Sequence, residues 1–149
     1  MLIQALSQEL AERYDLMDDG SGHFKPEDVL VPRSVFLLGT VSGRPVACAA
    51  LRPMDVEAAE IKRMYVVPLY RGRGYSRLIL SELERQAAAM DYLRVRLETG
   101  VRQPEAIGLY ERAGYRRIPN FGRYAGNPSS LCFEKVFASA RSRSAGGGT

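Results

Sequence analysis

The chain has 149 residues, enough for about one domain, and 46% of them are hydrophobic, which is ordinary for a protein with a packed core. Two of its four net positive charges belong to Arg141 and Arg143 near the C-terminus, and without them the body carries +2. That is too little for a nucleic-acid footprint and better suited to a small anionic partner.

No apolar run approaches the roughly 18–20 residues of a membrane span, and the N-terminus lacks the basic, apolar and small-residue succession of a signal peptide. The expected compartment is the cytoplasm. Cys48 and Cys132 each sit in a short apolar run and read as buried free thiols. His23 is the only histidine, which disfavours a zinc site and any triad that needs histidine elsewhere.

Residues 1–14 set Leu2, Leu6, Leu10 and Ala11 at helical spacing, which predicts an amphipathic helix at the start. Residues 15–32 are polar and broken by Gly20, Gly22, Pro26 and Pro32, so they read as loop with one short helix near Glu27. Residues 35–38 and 46–51 flank Ser42-Gly43-Arg44 and read as a β-hairpin. A third strand covers about 59–67 and is halted by Pro68.

The period then changes. Leu78, Ile79, Leu83 and Ala87 stack on one face of a helix from about 72 to 90. Residues 93–99 alternate apolar and charged side chains, as a half-buried strand does. A second helix covers 104–113, with Pro104 in its first turn and Gly114 as its stop. Residues 116–118 read as a short strand, 119–130 as a loop carrying Phe121 and Tyr124, and 131–137 as the last strand. The domain is thus 1–137. The tail 138–149, rich in Ser, Gly and Arg, is expected to be disordered. The element order α, β, β, β, α, β, α, β, β predicts a mixed α/β fold whose central strand–helix–strand unit has parallel strands.

At that unit a strand ends and Arg71-Gly72-Arg73-Gly74-Tyr75-Ser76-Arg77 opens a helix. Glycines let a ligand approach the backbone, the first-turn amides and the helix dipole favour an anion, and three arginines add full charges. The segment is built as a pyrophosphate cradle. It is no Walker loop, since Gly-Lys-Ser/Thr is absent, and no dinucleotide fingerprint. Taken alone, a solvated basic loop explains it equally well.

Its context adds to it. Arg71, Gly74 and, less closely, Ser76 meet the pattern Arg/Gln-x-x-Gly-x-Gly/Ala. Ala106, Leu109, Tyr110, Gly114 and Tyr115 meet Asn-x-x-Ala-x-x-Leu-Tyr-x-x-x-Gly-Phe, with Gln103 in place of Asn. In these motifs and their separation the chain resembles the GNAT superfamily of N-acetyltransferases, strongly over 35–115 and fairly through 136. The resemblance implies a mostly antiparallel sheet with a central, splayed parallel pair and flanking helices. Such chains open with a strand, and this one reads as opening inside a helix, so the usual first strand is expected to be missing or to lie upstream of residue 1.

The resemblance also implies a cosubstrate, acetyl-CoA, and no metal. Its pantetheine arm would pair with backbone groups of Met64, Tyr65 and Val66 in the gap between the splayed strands. The segment Arg71, Gly72, Arg73, Gly74, Tyr75, Ser76 and Arg77 would hold the pyrophosphate, and Gln103 would touch the pantetheine. Partners would be acetyl-CoA and an amine acceptor, with no nucleic acid and no membrane, and a homodimer as the candidate assembly. The acceptor is expected to be a small primary amine. A protein N-terminus or lysine, or a non-catalytic acyl-CoA-binding regulator on the same fold, are the alternatives.

Acetyl transfer from a thioester needs a neutral amine, a stabilised oxyanion and a protonated leaving thiolate. The family pattern points to Tyr110 as the acid, with a core aromatic as the structural alternative. Glu98 is the first candidate base, against a surface carboxylate paired with Arg94 or Arg96. Glu60 is the second, against a partner for Lys62 or Arg63. A carboxylate with a reference pKa of about 4.3 needs a water relay to deprotonate an ammonium. A backbone amide at a strand bulge near Val66 is the expected oxyanion donor. Tyr14, His23, Phe24, Phe121 and Tyr124 are candidates for the acceptor side.

Overall fold

A computed structural model describes residues 1–6 and 31–137. These form strands β1 (Leu2–Leu6), β2 (Val35–Val41), β3 (Arg44–Pro53), β4 (Ala58–Val66), β5 (Arg94–Gly100), β6 (Arg116–Ile118) and β7 (Ser130–Val136). Helices α1 (Tyr75–Ala89) and α2 (Pro104–Arg112) flank β5 in sequence, and short 3-10 turns lie at Pro68–Tyr70 and Gly122–Tyr124. The strands make one sheet in the order β1-β2-β3-β4-β5-β7-β6. Every pairing is antiparallel except β4 with β5, which α1 joins as a crossover.

The start of the chain differs from the expected helix. Residues 2–6 are a strand, paired with β2 from Leu2↔Thr40 to Leu6↔Phe36, so the usual first strand is present. Leu2 and Leu6 do sit four apart, but the two-residue alternation of a strand also suits the segment. Ile3 packs on the main core, while Leu6 packs on a second cluster of Phe36, Leu38, Cys48 and Ala50 across the sheet. What decides is the open edge of β2, whose backbone groups find partners in β1. The Met1 side chain lies over Gly39, where a Cβ would come within 2.6 Å of its sulfur. The remainder of the expected helix, the short helix near Glu27 and the tail lie outside the described residues. Ile3→Asp should lower stability by about 1 kcal/mol, since a half-buried isoleucine is lost from the core. Thermal melting should register that as a few degrees, whereas an N-terminal helix in solvent would tolerate the change.

The β2–β3 hairpin turns at Ser42 (φ 51°) and Gly43 (φ 78°), the paired left-handed conformations that a tight two-residue turn demands. The main core lies between the sheet and α1. Leu37, Ala49, Leu51, Ile61, Val95 and Leu97 meet Ile79, Leu80, Leu83 and Ala87 there. Each fully buried leucine or isoleucine contributes about 1.5–3 kcal/mol. Leu78, expected on this face, is 49% exposed, and Leu80 takes the inward position. Both lie one residue from Ile79, and only packing against the sheet distinguishes the two flanks of the stripe. Helix α2 stops where expected, at Gly114 (φ 93°), with the Tyr115 amide donating to the Tyr110 carbonyl. Cys48 and Cys132 are buried free thiols. Among the described residues no helix is long and apolar enough to cross a membrane.

Candidate active site

Pairing between β4 and β5 is confined to Ala58↔Arg94, Ala59↔Val95 and Glu60↔Arg96. Beyond Glu60 the strands run apart, as the sequence led us to expect. The gap forms a cleft of about 1290 Å³, bounded by both strands, the start of α1 and one face of α2. A bulge in β4 accompanies the splay. Cys48 stands opposite Tyr65 but Ala50 opposite Lys62, so β4 carries one residue too many for β3. Arg63 absorbs it with φ 59°, and its carbonyl accepts a hydrogen bond from the Cys48 thiol at 3.4 Å. The bulge therefore lies at Arg63 and Met64, not near Val66. Met64, Tyr65 and Val66 line the cleft along the edge of β4 that β5 leaves open.

At the end of β4 the chain turns through Gly72 (φ 77°) and Gly74 (φ 82°), where side-chain-bearing residues are strained. Gly74 caps α1, and no side chain bonds the first-turn amides. A Cβ placed on either glycine meets nothing within 4 Å, so the space above this turn is open. Tyr75, Ser76 and Arg77 also line the cleft. The Arg71 guanidinium donates from Nε to the Val66 carbonyl at 2.9 Å and stands 5.6 Å over the Tyr65 ring, fastening the turn to the strand. Arg73 does not line the cleft. It folds back to donate to the Leu69 carbonyl at 3.3 Å, 5.0 Å over the Tyr70 ring. Arg112 of α2 reaches the cleft instead. Sequence reasoning missed it because it fills an unspecified position of the second motif, between Tyr110 and Gly114, although helical spacing from Gly108 and Leu109 could have found it.

Gln103 caps α2, and Tyr110 follows nearly two turns later on the same side; both reach the cleft. The Tyr110 ring is 5% exposed, edge-on to Tyr115 at 5.6 Å and tilted on Phe133 at 6.2 Å. Burial pushes its phenol well above the ordinary range. The neighbouring Tyr115 phenol is raised by burial first and by Glu84 second, and its hydroxyl donates to that carboxylate at 2.9 Å.

The two candidate bases have different partners. Glu98 faces the cleft and accepts one hydrogen bond from the Ser130 hydroxyl at 2.7 Å. Its expected structural partners turn elsewhere, Arg96 and Arg94 pairing with Glu134 at 3.2 and 3.7 Å. The Glu60 side chain is 6% exposed and engaged on both oxygens: Arg52 donates twice to Oε1 at 3.1 and 3.0 Å, and Lys62 lies 3.3 Å from Oε2. Tyr124 lines the cleft and accepts a 2.6 Å hydrogen bond from the Lys62 ammonium, while Phe121 supports it edge-on at 5.7 Å from outside the lining. Tyr14, His23 and Phe24 lie outside the described residues.

Residues 3–115 match the model of the acetyltransferase (GNAT) family. The chain is 36% identical over 137 residues to an IAA acetyltransferase of Azospirillum brasilense, covering 90% of this chain and 87% of that one. A solved structure from Klebsiella pneumoniae is 28% identical, with a TM-score of 0.71 over 91% of this chain and 96% of that one. A GNAT family acetyltransferase from Elizabethkingia anophelis with acetyl-CoA bound superposes with a TM-score of 0.75 at 19% identity, covering 91% and 97% of the two chains, a likeness of fold.

Proposed function

The chain belongs to the GNAT family of acetyltransferases, and from that premise we propose that residues 1–137 form an N-acetyltransferase moving the acetyl group of acetyl-CoA to the primary amine of a small molecule. The observation that carries this is the assembly, in one cleft, of an open strand edge, a glycine turn at a helix start, and two groups able to handle protons.

The residues present fit the cosubstrate. The open edge of β4 offers backbone partners to an amide-bearing arm at Met64, Tyr65 and Val66. The turn from Arg71 to Arg77 presents uncapped amides beneath open space, as a pyrophosphate needs. Gln103 supports the arm from α2. Arg73 belongs to this set only if its guanidinium leaves Leu69. Bound there, acetyl-CoA would supply a thioester-activated acetyl group for direct attack by the amine within a ternary complex.

The chain's own groups do the rest in this reading. Glu98 takes the amine proton through water, steadied by Ser130. Amides at the Arg63 bulge polarise the acetyl carbonyl. Tyr110 donates its proton to the departing sulfur. Glu60, whose two oxygens are held by Arg52 and Lys62, ranks below Glu98 as the base. The cleft wall at Glu60, Lys62 and Tyr124 is of mixed charge rather than acidic, which favours a small acceptor over a basic protein segment. The reading also puts the enzyme in the cytoplasm, where buried free thiols persist. It takes neither nucleic acid nor membrane as partner, and a homodimer is the assembly to test by light scattering.

Glu98→Gln should lower turnover by about 10²-fold or more and leave acetyl-CoA affinity nearly unchanged. Steady-state rates and calorimetry on this variant check both halves. Normal turnover would transfer the base role to Glu60 or to bulk water.

A further inference from the structure

The register of the sheet orders the charges on the face opposite α1. Ala59 and Val95 point into the main core, so their neighbours Glu60 and Arg96 point to the other side, and so do Lys62 and Glu98 two residues on. The row through Glu60 is closed upon itself: Arg52 bonds Glu60, and Arg96 bonds Glu134. In the next row, where β4 and β5 have separated, Lys62 and Glu98 face one another across the mouth of the cleft without pairing. Lys62 turns to Glu60 at 3.3 Å and to the Tyr124 hydroxyl at 2.6 Å, and Glu98 turns to Ser130. The Lys62 side chain is only 9% exposed, and it shares the Glu60 carboxylate with Arg52, so the cleft wall at this end holds a largely desolvated ammonium. The Tyr124 hydroxyl accepts from Lys62, which leaves its own hydrogen to donate into the cleft.

We propose that the acceptor is an amino acid or another small amine bearing a carboxylate, oriented by Lys62 and Tyr124 on its anionic end and by Glu98 on its amine. This rests on the acetyltransferase reading and names its substrate class. A buried cation facing a carboxylate across a gap discriminates by charge placement. A polyamine would set an ammonium against Lys62, and an amide would leave Lys62 and Tyr124 without their anion. Lys62 and Tyr124 are thus specificity-determining residues, separate from the proton-handling groups.

The test is kcat/KM for acceptors in matched pairs, each amino acid against its carboxamide, with a polyamine alongside, on the full chain and on Lys62→Met and Lys62→Arg. The wild type should prefer the carboxylates by about 10-fold or more. Lys62→Met should erase that preference through KM for the acid alone, with the KM for acetyl-CoA unchanged, and Lys62→Arg should restore part of it. A purely structural lysine would instead lower activity on both members of each pair alike. Equal or better turnover of carboxamides or polyamines by the wild type overturns this inference while leaving acetyl transfer intact. Failure to acetylate any amine, with acetyl-CoA still bound, overturns the enzymatic reading and this inference with it.

Discussion

Tyr110→Phe should lower turnover by about 10²-fold or more with little change in acetyl-CoA affinity. The substitution is well suited to the question. The Tyr110 ring is held by Tyr115 and Phe133, and phenylalanine keeps those packing contacts. The hydroxyl removed reaches the cleft and has no hydrogen-bond partner among the described residues, so its loss orphans no group. Stability should change by no more than about 1 kcal/mol, since no packing contact and no hydrogen bond is lost, and a slow variant is then slow for a chemical reason. Burial raises the phenol, which keeps it protonated at any working pH but makes its proton harder to release. In the proposed mechanism the leaving thiolate would form beside this phenol, and desolvation there would raise the basicity of both, so donor and acceptor would shift together. If the variant turns over at a near-normal rate, Tyr110 is a core aromatic and the thiolate takes its proton from water.

Gly74→Glu should abolish coenzyme A binding, a loss of at least about 10²-fold in affinity, because like charges brought together at a binding surface cost several kcal/mol. Gly74 sits at φ 82° beneath open space. Any side chain there carries roughly 1–2 kcal/mol of backbone strain, which a fold stable by about 5–15 kcal/mol survives. Gly74→Ala shares the strain without the carboxylate and should bind far better than Gly74→Glu. Calorimetry on the pair separates the two effects, with circular dichroism confirming that both fold. Unchanged affinity in Gly74→Glu would remove the phosphate from this turn.

Legibility in the sequence followed the range of the forces involved. The glycine turn, α2 with its Gly114 stop and the β2–β3 hairpin are set by neighbours a few residues apart, and each formed close to its expected bounds. β1 was misread because an edge strand forms against a partner more than thirty residues away, and Leu2 and Leu6 satisfy a helical stripe equally well. The bulge at Arg63 is a property of cross-strand register, which β4 alone does not reveal. The site shows the same division. Gln103 and Tyr110 share one helix face and were found together. The Lys62–Tyr124 bond spans 62 residues, and the Ser130 hydrogen bond that singles out Glu98 spans 32. Only the folded sheet brings those pairs together. Arg73, grouped with the cradle by sequence, instead donates to the Leu69 carbonyl of the preceding turn and stands over the Tyr70 ring.

The most direct measurement is thiol release from acetyl-CoA against a panel of amines and peptides, with mass spectrometry of the acceptor. Release should depend on one or more small primary amines, with the acceptor gaining one acetyl group per thiol. Tight acetyl-CoA binding with no amine-dependent release across the panel would contradict that expectation and would make the protein an acyl-CoA-binding regulator built on an enzyme's fold.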